Sequence, residues 1–94
     1  MMDLSERRIL TVSQLTAGIK DLLESTYDEV WVEGEVSNLR CPPSGHLYFT
    51  LKDDQSQIRA VIFKMQRRYM RFALEDGQHV ICWGRVGIYE RRGE

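Results

Sequence analysis

The sequence predicts a small, mainly β domain with two helices, and three observations indicate it. Apolar and polar residues alternate along four separate stretches, the pattern of strands that bury one face. Apolar residues recur at helical spacing along two other stretches. The chain has 94 residues, a length that supports one modest core and therefore one domain.

The first helix is predicted over residues 14–24, with Ser13 as its N-cap. It rests on apolar residues at helical spacing: Val12, Leu15, Ile19, Leu22 and Leu23. Residues 1–9 carry charge without periodicity and are expected to be a flexible tail. The folded domain is therefore expected to cover residues 10–94.

A first strand is predicted from residue 30 to residue 37. Gly34 at its centre has no side chain to pack, which commonly marks a bulge or a sharp bend. Residues 38–45 are predicted to be a loop, because Pro42 and Pro43 cannot donate to a strand ladder.

A hairpin follows, with strands over residues 46–52 and 57–63. The period of the apolar residues then changes, and a short amphipathic helix is predicted over residues 64–72. This prediction rests on the helical spacing of three apolar residues: Met65, Tyr69 and Phe72. A long fourth strand is predicted over residues 80–89.

This order of elements is that of an OB-fold, a five-stranded Greek-key barrel, with the fifth strand missing. Four strands leave an open sheet edge that invites pairing with another chain. We therefore expect the 94 residues to be the N-terminal part of a longer protein that supplies the fifth strand. For the shortened chain we expect edge-paired or swapped dimers.

Composition excludes several classes of protein. No apolar run approaches the ~20 residues that span a bilayer, and the N-terminus lacks the apolar core of a secretory signal. Two cysteines without a CxxC motif exclude a disulfide scaffold and a zinc knuckle, and indicate a cytoplasmic protein. We see no nucleophile–base arrangement, metal site or cofactor site, so the fragment itself is expected to be non-catalytic.

The charge is unevenly distributed along the chain. Residues 1–37 hold eight acids and three bases, a net charge of −5, whereas residues 38–94 hold ten bases and six acids, a net charge of +4. Arginine outnumbers lysine eight to two in the second part. Because arginine binds phosphate with two hydrogen bonds and stacks on bases, the second part is the candidate for nucleic-acid binding.

Strands two and three are predicted to present rings and cations outward while their other faces fill the core. The predicted outward residues are His46, Tyr48, Lys52, Arg59 and Phe63. OB-folds bind oligonucleotides on this face, where a stacked base contributes about 1–3 kcal/mol. Further arginines are expected to extend the groove: Arg40 in the loop, and Arg85, Arg91 and Arg92 beyond strand four.

Structural interpretations compete with these assignments. Tyr48 is also a good strand former, and a histidine at a strand start is commonly a hydrogen-bonded surface residue. The arginines of the second helix are expected on its solvated side: Arg67, Arg68 and Arg71.

Four other residues also have structural interpretations. Trp31 and Trp83 are expected to pack under the N-terminal helix because of their size. Cys41 has no activating base nearby in the sequence and is expected to be inert. Glu33 and Glu35 share a strand face, but without a third ligand they are weak candidates for a metal site.

Five segments resemble the N-terminal domain of the bacterial exonuclease VII large subunit, over essentially residues 10–93. They are LTVSQLTAGIKDLLES, VWVEGEVSN, SGHLYFTLKD, IRAVIF and GRVGIYERRG. The resemblance implies an OB-fold nucleic-acid-binding module, related to anticodon-binding domains, ahead of a nuclease domain. It also implies a longer helical region that recruits a small subunit.

The parent enzyme implied by this resemblance degrades single-stranded DNA from both ends to oligonucleotides, without an absolute need for a divalent metal. In related barrels the position of Tyr48 holds a base-stacking ring and that of Arg59 a polar base contact. The main hypothesis is a module that binds single-stranded DNA for a downstream nuclease. The alternatives are an RNA- or tRNA-binding module and a protein-docking barrel anchored by Trp31 and Trp83.

Overall fold

A computed structural model describes residues 7–88 of the chain. The elements are α1 (Val12–Thr26), β1 (Val30–Arg40), β2 (Leu47–Lys52), β3 (Gln57–Ile62), α2 (Lys64–Arg67) and β4 (His79–Gly84). The strands form one sheet in the order β3-β2-β1-β4, and β1 and β3 are both antiparallel to β2. The prediction of a mainly β domain with an N-terminal helix and a helix between the third and fourth strands is confirmed. Residues 31–82 form one compact unit, and the other described residues form a second.

Helix α1 begins two residues earlier than predicted because Thr11, and not Ser13, is its N-cap. The Thr11 hydroxyl accepts a hydrogen bond from the Gln14 N–H at 3.0 Å, and the Gln14 side-chain oxygen accepts one from the Thr11 N–H at 2.9 Å. This reciprocal capping box satisfies two N–H groups that would otherwise lack partners. In residues 7–88, neither helix is long and apolar enough to cross a membrane.

Strand β1 is longer than predicted and includes residues 38–40, which the sequence assigned to a loop. The ladder with β2 shifts register between Ser37 and Arg40, so the bulge lies there and not at Gly34. Asn38, in the bulge, has a φ of 53°, in the left-handed region that asparagine tolerates better than most residues. Gly34 instead allows a close approach of the strands, because a Cβ there would lie 2.9 Å from the backbone oxygen of Lys52.

The core lies on the inner face of the sheet. Its buried residues are Val36, Leu47, Phe49 and Leu51, and the predicted inward face of the second strand is therefore confirmed. In β3, Ala60 and Ile62 pack against this core, but Ile58 is 51% exposed, so the prediction that the inner face of the third strand fills the core fails at this residue. Ile58 lies toward the turn end of β3, which is an edge strand with less cover.

The second helix and the fourth strand are both shorter than predicted. Helix α2 ends at Arg67. Two residues predicted to form its apolar side lie beyond this end and are exposed, Tyr69 by 76% and Phe72 by 56%. With little apolar surface buried, a second helical turn has nothing to stabilise it. Strand β4 ends at Gly84, and residues 85–88 are irregular, while the predicted strand end at Tyr89 lies outside the described residues.

The two tryptophans are mostly exposed. Trp31 and Trp83 are 73% and 61% exposed, so the expectation that both are covered beneath the N-terminal helix is wrong. Ile81 precedes Trp83 by two residues in β4 and is 66% exposed, as the alternation of a strand requires.

Candidate nucleic-acid interface

The strand register places several predicted site residues on the outer face of β1, β2 and β3. Tyr48 pairs with Arg40 on one side and with Val61 on the other, and Arg59 pairs with Thr50. Residues that pair across antiparallel strands project from the same face of the sheet. Tyr48 alternates with the buried Phe49, so this face is the one that points away from the core.

Four side chains on this face form a row that we call the ring row: Arg40, Tyr48, His46 and Phe63. The guanidinium carbon of Arg40 lies 5.1 Å from the centroid of the Tyr48 ring, the distance of a cation–π contact. The His46 ring meets Tyr48 edge-on at 6.4 Å and Phe63 edge-on at 5.3 Å, between centroids. The row therefore offers three rings and one cation in succession.

A backbone hydrogen bond fixes the tautomer of His46. The N–H of Lys64 donates to Nδ1 of His46 at 2.9 Å. Because a backbone N–H can only donate, Nδ1 carries a lone pair, and the ring proton of neutral His46 resides on Nε2. Nε2 is therefore the ring nitrogen of neutral His46 that can donate a hydrogen bond.

Arg67 anchors the loop between β1 and β2. Its Nη1 donates to the Gly45 carbonyl oxygen at 2.8 Å and to Sγ of Cys41 at 3.2 Å. Arg67 is exposed on α2, as the sequence predicts, and its contacts with the loop are an additional role that was not predicted. No local pattern could reveal this role, because the partners lie 22 and 26 residues away in sequence. Gly45 itself has a φ of 88°, which favours glycine.

The other predicted site residues lie outside the ring row. Arg59 is exposed on the same face of β3, and Lys52, half-buried at the end of β2, pairs with Glu35 on β1. Arg85 lies after the end of β4 and belongs to the second compact unit. Two predicted groove residues, Arg91 and Arg92, lie outside the described residues.

The remaining titratable groups offer no cluster for catalysis or metal binding in the described chain. Oε2 of Glu33 lies 2.8 Å from Nε2 of His79, so this carboxylate has a histidine partner rather than a second carboxylate. Burial raises the pKa of the Cys82 thiol, which therefore stays protonated at neutral pH. Among residues 7–88 no three histidine, cysteine or acidic side chains gather to hold a metal ion.

The chain resembles known proteins over most of its length. The family described as "OB-fold nucleic acid binding domain" matches residues 10–94. The exodeoxyribonuclease 7 large subunit of Geobacter sulfurreducens is 58% identical over 90 residues, which are 96% of this chain and 20% of that protein. The same subunit of Azotobacter vinelandii is 53% identical over 89 residues, 95% of this chain and 20% of that protein.

The chain thus spans about a fifth of the length of the curated relatives it matches. The resemblance to the exonuclease VII large subunit is confirmed by these identities, and the predicted OB-fold is confirmed by the family match. The chain belongs to the family of OB-fold nucleic-acid-binding domains.

Proposed function

We propose that this domain binds single-stranded DNA on the outer face of β1, β2 and β3 and presents it to a nuclease domain of a longer protein. The ring row is the observation that carries the proposal. Its three rings and its cation lie next to one another on the outer face of the sheet, opposite the core. Aromatic rings that stack on bases, combined with cations that follow the phosphates, are the usual means of gripping an unpaired strand.

Single-stranded DNA suits this surface better than a duplex does. Bases in a duplex are stacked on each other, so their faces are not available to a protein ring without unstacking. Tyr48 and His46 are half-buried and held by neighbouring side chains, so they lose little freedom when a base stacks on them. Arg59 and Lys52 supply further positive charge for phosphates along the same face.

For the longer protein we propose the activity of a cytoplasmic exodeoxyribonuclease, a hydrolase of DNA catabolism that degrades single strands from both ends to oligonucleotides. The names of the relatives support this proposal, and their fivefold greater length leaves room for a separate nuclease domain. We place the catalytic groups and the contacts to a small subunit in that remaining part. The four strands described between residues 30 and 84 would then belong to a barrel whose fifth strand the longer protein supplies.

The proposal is tested by titrating labelled oligo-dT with the chain at low salt and then at rising salt, with anisotropy as the readout. We expect affinity to fall with salt, because each phosphate contact releases a counterion. Tyr48→Ala should weaken binding by about 1–3 kcal/mol if the ring stacks on a base.

Tyr69→Ala is the matched control, because Tyr69 is 76% exposed in the turn after α2 and lies off the strands. We expect it to bind oligo-dT like the unaltered chain. An unaltered chain that binds no oligo-dT at low salt contradicts the proposal. Equal losses in the two tyrosine variants contradict the stacking role of Tyr48.

A binding preference for RNA is the nearest alternative, since a stacking platform accepts bases of either nucleic acid. Only RNA offers a 2′-hydroxyl, so matched DNA and RNA oligomers separate the two possibilities in one competition experiment. A clear preference for the RNA oligomer would replace single-stranded DNA as the ligand while leaving the ring row as the site.

Protein docking is a second candidate function, favoured by the exposure of Trp31 and Trp83. Exposed tryptophans are common anchors of protein interfaces. Crosslinking of this domain to the rest of the longer protein, in the presence and absence of oligo-dT, tests it. Crosslinks that form at Trp31→Cys and that oligo-dT does not reduce would favour docking.

A further inference from the structure

Asp76 makes a long-range contact with the bulge of β1. Its Oδ1 accepts a hydrogen bond from the N–H of Leu39 at 2.9 Å, although the two residues are 37 positions apart. Leu39 lies within the register shift between Ser37 and Arg40. A bulge leaves an amide outside the ladder, and here a carboxylate satisfies it.

The bulge decides which side chain reaches the outer face beside Tyr48. Ser37 pairs with Thr50 and Arg40 pairs with Tyr48, so β1 advances three residues while β2 advances two. In a regular ladder Leu39 would pair with Tyr48. Since side chains alternate between faces, a regular ladder would direct Leu39 outward and Arg40 toward the core.

The observed positions are the reverse of those in a regular ladder. Leu39 packs against the core cluster, and Arg40 is exposed with its guanidinium over the Tyr48 ring. The extra residue in β1 therefore changes the direction of two consecutive side chains. It places the apolar side chain of Leu39 against the core and the cation of Arg40 on the outer face.

The turn that carries Asp76 is itself fixed to β1 next to the bulge. The N–H of Gly77 donates to the Val36 carbonyl oxygen at 2.8 Å, and the N–H of Val36 donates to the Gln78 carbonyl oxygen at 2.8 Å. Gly77 has a φ of 90°, which favours glycine at this turn. The Asp76 carboxylate is thus held at a set position relative to the bulged segment.

We propose that Asp76 is a positioning residue of the nucleic-acid interface, which acts by holding the β1 bulge that turns Arg40 onto Tyr48. Its effect on affinity rests on the proposed function, whereas its effect on the bulge does not. The expected change in affinity is opposite in direction to the ordinary effect of removing an acid. Removal of an acid near a polyanion ordinarily strengthens binding, whereas removal of this side chain together with its acceptor oxygen should weaken it.

Three variants of the chain test the proposal with oligo-dT as the probe. Asp76→Ala removes the acceptor, and we expect affinity to fall by about two- to fivefold as the Arg40 contact is lost. Asp76→Asn keeps an acceptor oxygen without the charge, and we expect affinity equal to or above that of the unaltered chain. Glu75→Gln removes a charge from the same turn and serves as the charge control, with the same expectation as Asp76→Asn.

A readout without DNA separates the two proposals. In Asp76→Ala we expect faster hydrogen exchange at the Leu39 amide and a shifted Tyr48 ring resonance, and in Asp76→Asn neither change. If these shifts occur but no chain binds oligo-dT, the proposed function fails and the positioning role stands. Unchanged Leu39 exchange in Asp76→Ala, or tighter oligo-dT binding by it, overturns the positioning role. If Asp76→Ala does not fold, slow Leu39 exchange in Asp76→Asn supports the role and fast exchange overturns it.

Discussion

The guanidinium of Arg40 lies over the ring of Tyr48, with 5.1 Å between the guanidinium carbon and the ring centroid, and the two residues pair directly across β1 and β2. A cation at an exposed ring face contributes about 0.5–1 kcal/mol. This contact joins a group suited to phosphate and a group suited to base stacking. We therefore expect the two side chains to act on a bound strand as one unit.

A double-mutant cycle tests this unit. We expect Arg40→Ala and Tyr48→Ala to lose affinity for oligo-dT non-additively, with a coupling of about 0.5–1 kcal/mol. The matched control is the pair Arg59 and Tyr48, which share the outer face without pairing with each other. That pair should be additive within about 0.5 kcal/mol. Additive losses for Arg40 and Tyr48 would show that the contact has no bearing on binding.

His46 offers a prediction about hydrogen bonds, because its two ring nitrogens have different tasks. In His46→Asn the side-chain oxygen can replace Nδ1 as the acceptor for the Lys64 N–H, while the outward donor is lost. In His46→Gln the amide N–H can replace Nε2, while the inner acceptor is lost. We expect His46→Asn to weaken oligo-dT binding by about 0.5–1.5 kcal/mol. We expect His46→Gln to lower the free energy of unfolding by about the same amount.

The tautomer itself is measurable by nitrogen-15 NMR of the imidazole. The hydrogen bond from Lys64 to Nδ1 requires the neutral ring to carry its proton on Nε2. A spectrum dominated by the Nδ1–H form would contradict the geometry from which the donor role was derived.

Gly34 should be intolerant of substitution, because β1 and β2 approach closely there. In Gly34→Ala the added carbon would lie 2.9 Å from Cγ of Leu51 and 2.9 Å from the Lys52 carbonyl oxygen. Since the backbone oxygen cannot move without disturbing the ladder, we expect the free energy of unfolding to fall by about 1–3 kcal/mol in urea titrations.

Gly18→Ala is the control for this substitution. Gly18 lies inside α1, and an added carbon would meet nothing within 4 Å. Alanine stabilises a helix interior relative to glycine by about 0.8–1.0 kcal/mol, so the two glycine variants should change stability in opposite directions. A Gly34→Ala chain as stable as the original would show that the strands can separate at no cost.

Asp53 makes stability depend on pH at the acid end. The N–H groups of Gln55 and Ser56 each donate to its Oδ1 at 2.9 Å and hold the pKa of this carboxyl below its ordinary value of 3.8. Its contribution to stability is therefore fully present above 3.8 and is lost as the pH falls through the lower folded-state pKa.

Unfolding midpoints measured between about pH 2 and pH 6 test this dependence. In Asp53→Asn the acceptor remains but cannot titrate, so this part of the acid dependence should disappear. Asp54→Asn alters the adjacent carboxyl and leaves the Asp53 hydrogen bonds in place, so it should retain the dependence. If both variants keep the same acid dependence, the turn does not contribute to it.

Much of the fold follows from local patterns in the chain. The alternation over residues 46–52 correctly predicts the buried face of β2, because a strand has a period of two and burial of one face leaves that period in the sequence. The element order and the quoted motifs together predict the OB-fold and its family, which the comparisons confirm. The N-cap is an exception, because Ser13 was predicted in place of Thr11 although the capping box of Thr11 and Gln14 spans only four residues.

The errors arise where distant parts of the chain meet. The short α2 follows from a lack of apolar surface to bury its second turn, which no spacing of residues 64–72 reveals. The loop contacts of Arg67 join residues more than 20 positions apart. His46 is a similar case, because its tautomer is set by a backbone group of α2 that lies 18 positions away in sequence.

Arg40 shows which properties follow from the sequence and which depend on the tertiary structure. The sequence by itself determined that a cation stands near a ring-bearing strand, because composition and alternation are local properties. Only the tertiary structure decided that Arg40 projects outward, since one extra residue in β1 reverses the faces of the strand beyond it. Asp76, which precedes β4, holds the bulge through a hydrogen bond from the Leu39 N–H. A hydrogen bond between residues 37 positions apart leaves no periodic pattern in the sequence.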